Sequence, residues 1–107
     1  MKSFDDRQKG FEAEFTRNQE LAFRVTARRN KLFGLWVAEK LGIAAGDAAE
    51  AYARAVVDAD FEKPGDGDVI EKVRTDLKAK GIDLSEVQLR TELTRAADEA
   101  KRQLSQQ

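Results

Sequence analysis

Apolar residues recur at helical spacing along this chain, and turn signals divide them into four segments. Glycine or proline-glycine ends three of these segments, at Gly42, at Pro64-Gly65 and at Gly81. Side chains three, four or seven residues apart share one face of an α-helix, whereas a half-buried strand would show alternation. No segment of the sequence shows that alternation. The pattern therefore predicts an all-α fold with four helices.

The first predicted helix runs from about Thr16 to Leu41, and Gly42 followed by Ile43 is typical of a Schellman-type stop. Gly34 interrupts this helix and favours close approach of a neighbouring helix. The apolar positions that we expect to pack are Leu21, Val25, Leu32, Phe33, Trp36 and Val37.

Each of the other three helices begins with a residue pair typical of a capping box, in which an acceptor side chain precedes Glu or Gln by three residues. The pairs are Asp47 with Glu50, Asp68 with Glu71, and Ser85 with Gln88. The third helix is predicted to start at Asp66 or Asp68, and its pair forms when Asp68 is the cap. We expect these helices to extend to about Phe61, Gly81 and Leu104. Ile82 is expected to fold back on the third helix as part of a second Schellman stop. The second and third helices should bury the stripes Ala48, Tyr52, Ala55, Val56, Ala59 and Val69, Ile70, Val73, Leu77.

Short connections between helices favour antiparallel neighbours, so we predict a small four-helix bundle over residues 19–107. A chain of 107 residues forms one domain. Its hydrophobic content of 41% includes many alanines, which predicts a thin core and moderate stability.

Residues 1–18 precede this bundle and form a flexible amphipathic N-terminal arm in our interpretation. Phe4, Phe11 and Phe15 share one narrow helical stripe in an otherwise charged segment, and Gly10 lowers its helix propensity. The stripe either packs on the protein's own core or folds into the groove of a partner. Because the four capped helices form a bundle without the arm, a partner is the favoured alternative.

The sequence contains no cysteine and no histidine, which excludes disulfides, thiolate nucleophiles and histidine acid–base catalysis. We find no convergent catalytic motif and expect neither an enzyme nor a cofactor. Nineteen basic and 20 acidic residues give a net charge of -1, which does not favour binding to nucleic acid. No apolar run approaches the length of a membrane helix, so we expect a cytoplasmic protein.

Two charged clusters have alternative interpretations. Arg28, Arg29 and Lys31 lie near Trp36 and either contact a nucleotide such as ADP or ATP, or pair with acids such as Asp60 and Glu62. A cluster of carboxylates either holds a hard cation or caps a helix, and we favour the second interpretation, without a metal. Its members are Asp58, Asp60, Glu62, Asp66 and Asp68.

Three blocks of sequence resemble a known family. They read FDDRQKGFEAEF, ARRNKLFGLWVAEKLG and YARAVVDADFEKPGDGDVIEKVRTDL. In this order they resemble the zeta subunits, the small ATPase inhibitors of alphaproteobacterial F-type ATP synthases. The resemblance covers the chain from Phe4 to about Leu104. A nucleotide-sensing bundle that does not dock on an ATPase is the alternative.

The resemblance implies a four-helix bundle whose mobile arm inserts as a helix at an alpha/beta catalytic interface, beside the central stalk. There the arm would block rotation during ATP hydrolysis and permit synthesis, while the bundle anchors the protein on the ATPase head. The protein would be cytoplasmic and associated with the membrane-bound enzyme, without inserting into the membrane. The arm residues that match the family are Phe4, Asp5, Asp6, Arg7, Phe11, Glu12 and Phe15.

Overall fold

The computed structural model describes the backbone of residues 2–60 and 67–106, and the side chains of residues 18–60 and 67–106. The described chain forms four helices and no strand. These helices are α1 (Lys2–Lys40), α2 (Asp47–Ala59), α3 (Gly67–Ala79) and α4 (Glu86–Ser105). The predicted all-α class and the number of helices are confirmed.

Helix α1 is longer than the sequence pattern predicted, because it begins at Lys2 and continues without interruption to Lys40. The expected start near Thr16 was therefore wrong. The residues around Thr16 are mostly good helix formers, and no proline separates the predicted arm from the first bundle helix. The backbone consequently shows no boundary at residue 18, and the division into arm and bundle stays a prediction.

The two predicted Schellman stops are confirmed by their hydrogen bonds. After α1, the backbone N–H of Ile43 donates to the carbonyl of Ala38 at 2.9 Å, and Gly42 has a φ of 78°. After α3, the N–H of Ile82 donates to the carbonyl of Leu77 at 2.9 Å, and Gly81 has a φ of 76°. Both glycines occupy the left-handed conformation that such a stop requires.

Of the predicted helix starts, the one at Ser85 is confirmed and the one at Asp47 is not. Ser85 caps α4 in a complete capping box, in which its hydroxyl accepts from the N–H of Gln88 at 3.1 Å. The predicted cap at Asp47 was wrong, since Gly46 precedes α2 and makes no side-chain cap bond. Asp68 stands inside the first turn of α3, which begins one residue earlier. Helix α2 ends at Ala59, and the expected last residue, Phe61, lies outside the described part.

Helix α1 lies between α2 and α4, and α3 packs on α2 and completes the core. The α3 stripe is buried as predicted, whereas α2 buries Ala49 and Ala53 in place of Ala48 and Ala55. Alanine occurs on several sides of α2, so its apolar pattern does not select one face. The central cluster contains Phe33, Val37, Val56, Val69, Ile70, Val73, Leu77, Leu89, Leu93 and Ala96.

Gly34 lies at the contact between α1 and α2, as its position predicted. A Cβ atom at Gly34 would lie 2.7 Å from the Cα of Ala53 and 3.2 Å from the Cβ of Val56. The backbones of the two helices are therefore too close for any side chain at this position. Close approach of α1 and α2 depends on this glycine.

Helices α2 and α4 run antiparallel to α1, so one end of the bundle is defined by three helix segments. Asn30 of α1 lines a groove together with Val57 and Asp60 at the end of α2, and Arg28 bonds to Gln103 near the end of α4. The C-terminal ends of α2 and α4 consequently lie where α1 enters the core. We call this region the arm end of the bundle.

Candidate partner-binding surface

Seven residues of α1 lie just outside the core at the arm end, and we call residues 18–24 the neck. Every side chain from Asn18 to Arg24 is exposed, Val25 is half-buried, and the first fully enclosed side chain is Asn30. Leu21 is 49% exposed, although the apolar pattern predicted that it would pack. Among the described side chains of α1, packing against the bundle thus begins at Val25, about seven residues after the predicted end of the arm.

A shallow groove of about 210 Å³ continues from the neck onto the bundle. It lies between α1 and the last turn of α2, and most of its lining is apolar. Asn30 is 1% exposed at its base, where its Oδ1 accepts a hydrogen bond from Nε of Arg29 at 3.0 Å. The lining residues are Ala22, Phe23, Thr26, Ala27, Asn30, Val57 and Asp60.

A polar network on the opposite side of α1 fixes the helix against α4. Arg28 donates from Nη1 to Oε1 of Gln103 at 2.7 Å, and the Gln103 amide donates to Glu99 at 3.2 Å. Hydrogen bonds from Arg102 and then Gln103 hold the pKa of the Glu99 carboxyl below its usual value. This chain of bonds lies at the arm end and orients the part of α1 that leads into the neck.

The basic cluster of the sequence does not converge on one pocket. Arg28 bonds to α4, Arg29 bonds to Asn30, and Nζ of Lys31 lies 3.5 Å from a carboxylate oxygen of Glu50 on α2. The Trp36 ring is stacked with Phe33, with centroids 6.2 Å apart, and Lys40 lies 5.3 Å above it. The possible nucleotide-binding residues Arg28, Arg29, Lys31 and Trp36 are therefore directed to different neighbours, and nucleotide binding stays a prediction.

The acidic cluster is divided between two surfaces. Asp58 and Asp68 line an open groove of about 660 Å³ between α2 and α3, whereas Asp60 lines the groove beside the neck. Glu62 and Asp66 lie outside the described residues. Within the described side chains, no group of three or more potential metal ligands is brought together.

A polar contact between α2 and α3 was missed by the sequence analysis. The Tyr52 hydroxyl donates to Oδ2 of Asp76 at 2.8 Å, and Lys72 donates to the same oxygen at 3.2 Å. Burial, together with the bond and the negative charge of Asp76, raises the pKa of Tyr52 well above its usual value. The partners are 24 residues apart on different helices, so no local spacing in the sequence indicates the contact.

The matching arm residues Phe4, Asp5, Asp6, Arg7, Phe11, Glu12 and Phe15 lie in the first half of α1. Their side chains lie outside the described residues, so their role in partner binding stays a prediction. Among the described residues, no helix combines the length and apolar composition needed to cross a membrane.

The fold and this surface define a small all-α protein whose first helix extends beyond the part that its own core covers. The exposed neck and the adjoining groove lie together where that helix leaves the bundle. The family model of the ATPase inhibitor subunit zeta matches residues 1–103, and the chain belongs to this family. A comparison with curated proteins finds no match.

Proposed function

We propose that this protein is the regulatory inhibitor subunit of an F-type ATP synthase, and that it blocks ATP hydrolysis by inserting the start of α1 into the catalytic head. The match to the zeta family over residues 1–103 carries this proposal. The structure supports it with a 39-residue α1 in which the described side chains before Val25, residues 18–24, are exposed.

The inserted segment is the arm, residues 1–18, and its site is an alpha/beta catalytic interface beside the central stalk. A helix wedged there obstructs the changes of shape that accompany rotation in the hydrolysis direction. Phe4, Phe11 and Phe15 supply the apolar contacts, each contributing about 1.5–3 kcal/mol when fully buried. Asp5, Asp6, Arg7 and Glu12 supply the charged contacts at the edges of the same interface.

The bundle lowers the cost of inserting such a short helix. Ordering one backbone residue costs about 1–2 kcal/mol, so three phenylalanines alone would not compensate for ordering an arm that was unstructured before it bound. The backbone of α1 is helical from Lys2 through the neck, so insertion of the arm does not require a new helix to nucleate. A bundle anchored on the head also raises the local concentration of the arm.

ATP hydrolysis by the cognate ATPase tests the proposal. The full-length protein should inhibit hydrolysis, and a variant that lacks residues 1–18 should lose most of that inhibition. Circular dichroism should show the same melting temperature for both, because the described core lies entirely beyond residue 18. Equal inhibition by the two proteins would overturn the role of the arm, and no inhibition by either would overturn the function.

A further inference from the structure

A chain of polar side chains joins α1 to the last turns of α4 just where α1 leaves the bundle. Nη1 of Arg28 donates to Oε1 of Gln103 at 2.7 Å, although the two residues are 75 positions apart in the sequence. Val25, three residues before Arg28, is the first half-buried side chain in the described part of α1. The bond therefore holds α1 within one turn of the point where its own bundle begins to cover it.

The amide of Gln103 is held at both of its ends. Its oxygen accepts from Arg28, and its Nε2 donates to Oε1 of Glu99 at 3.2 Å. Glu99 is in turn paired with Arg102. A flipped amide would place its NH₂ group against the guanidinium, donor against donor, so the network specifies one orientation of Gln103. The charged donor also makes the bond to Arg28 stronger than one between neutral groups.

We propose that Arg28 and Gln103 are positioning residues for inhibition, because they set the direction in which α1 leaves the bundle and the arm approaches its cleft. This inference rests on the proposed function. Neither residue needs to contact the ATPase, since each acts through the helix that carries the arm. The last turns of α4, which lie farthest from the arm in sequence, thereby contribute to inhibition.

The length of α1 amplifies any change in this direction. Lys2 lies 26 residues before Arg28, so about 39 Å of helix precedes the bond. A tilt of about 10° at Arg28 displaces the start of α1 by about 7 Å. Apolar contacts require heavy atoms within about 4.5 Å of each other, so a displacement of that size would break the contacts of the arm.

A fixed direction also lowers the cost of binding. An arm that samples many directions loses that freedom when the arm and the bundle are both bound, and preorganisation reduces this loss. Tethering raises the local concentration of the arm only if the geometry lets both parts engage at once. The bond between Arg28 and Gln103 restricts α1 to directions close to one.

The test measures inhibition of ATP hydrolysis by full-length Arg28→Met, Gln103→Met and the double variant. Methionine keeps an unbranched side chain and removes the hydrogen bond. Each single variant should raise the concentration for half-maximal inhibition by about fivefold. The double variant should do little more than either single variant, because all three lose the same bond.

Tyr52→Phe is the matched control. It also removes one hydrogen bond between two helices, but that bond joins α2 to α3 and leaves α1 untouched. This variant should inhibit like the wild-type protein. Circular dichroism checks that every variant is folded at the temperature of the assay.

A distance measurement separates positioning from stability. The chain has no cysteine, so Leu21→Cys and Val87→Cys place two spin labels, one in the neck and one in the first turn of α4. Both sites are exposed, so the labels remove no core contact. Pulsed electron paramagnetic resonance should give a narrow distance distribution, which Gln103→Met broadens or shifts and Tyr52→Phe does not. An unchanged distribution with Gln103→Met would overturn the proposal.

An exchange variant tests the bond itself. Glu99→Gln combined with Gln103→Glu places a carboxylate against Arg28 and an amide donor one turn before it, so both hydrogen bonds re-form with the roles exchanged. Inhibition and the narrow distance distribution should return toward their wild-type values. Continued weak inhibition by this variant would overturn the role of the bond.

The outcomes distinguish this inference from the proposed function. If the wild-type protein inhibits and loss of residues 1–18 abolishes inhibition, but Arg28→Met and Gln103→Met inhibit normally, the positioning role is wrong and the proposed function stands. If the wild-type protein does not inhibit hydrolysis, both are overturned. An equal loss of inhibition with Tyr52→Phe would also overturn the inference, since the effect would then follow bundle stability and not the direction of α1.

Discussion

Helix α1 contains two regions of different character, and the contrast appears most directly between two phenylalanines ten residues apart. Phe33 is 1% exposed and belongs to the central cluster, whereas Phe23 is 58% exposed in the neck. The backbone is helical at both positions. Secondary structure alone therefore does not distinguish a residue of the central cluster from an exposed residue of the neck, and burial does.

The largest predicted effect is the difference in stability between alanine variants of these two phenylalanines. Phe33→Ala should destabilise the bundle by about 3–5 kcal/mol, because it opens a cavity in a closely packed core. Phe23→Ala should lower stability by about 1 kcal/mol or less, because most of its ring is already exposed. Urea denaturation followed by circular dichroism measures both changes.

Inhibition should not follow stability. At a temperature where Phe33→Ala is still folded, its affinity for the ATPase head should be nearly normal, because Phe33 lies inside the bundle. Comparable losses of stability from both substitutions would show that Phe23 belongs to the core. The contrast between the two regions of α1 would then be wrong.

The second prediction uses two glycines of α1. Gly34→Ala should destabilise the bundle by about 1–2 kcal/mol, because overpacking against the backbone of Ala53 exceeds the gain in helix propensity. Gly10→Ala lies in the proposed arm, where the gain of about 1 kcal/mol in propensity should strengthen inhibition by up to about fivefold. Denaturant midpoints and inhibition titrations on the two variants measure these opposite effects.

If Gly34→Ala lowered stability and Gly10→Ala also weakened inhibition, both substitutions would be harmful. That result would contradict this division of α1. If Gly10→Ala weakens inhibition, the arm must approach the backbone of its partner as closely as Gly34 approaches α2. The inserted arm and the packed part of α1 would then share one kind of contact. The double variant serves as a control, since effects on separate regions should add.

Local signals in the sequence predicted much of this fold. The Schellman stops at Gly42 and Gly81 and the capping box at Ser85 each depend on a few consecutive residues, and all three are confirmed. The buried face of α2 was partly wrong, because an alanine-rich helix offers several similar faces. The contact of Tyr52 with Asp76 was missed, because helix packing and not local spacing brings these residues together.

The candidate site was less predictable than the fold. The sequence placed Leu21 with the packed residues of the first helix, because its spacing to Val25 continues the same apolar stripe. Among the described side chains burial begins instead at Val25, just before Ala27 and Arg28 meet the ends of α2 and α4. How much of α1 is buried depends on the lengths of the other helices. The apolar pattern within α1 gives no information about those lengths.

The smallest predicted effect concerns the hydrogen bond between Tyr52 of α2 and Asp76 of α3. Tyr52→Phe removes the hydroxyl that donates to Asp76 and should lower stability by about 1 kcal/mol at neutral pH. Inhibition should be unchanged, since Tyr52 does not line the groove beside the neck. Parallel loss of inhibition would show that this side of the bundle also contacts the ATPase.

The same residue makes bundle stability depend on alkaline pH. The folded protein holds the pKa of Tyr52 above its usual value, so above about pH 10 the unfolded chain releases a proton that the folded chain retains. The contribution of Tyr52 to stability is therefore complete below about pH 10 and is lost as the pH rises toward the raised folded pKa. Tyr52 is the single tyrosine in the chain, so tyrosinate absorbance reports its ionisation directly. Tyr52→Phe should lack this part of the alkaline loss, and an identical pH profile for the variant would remove Tyr52 as its source.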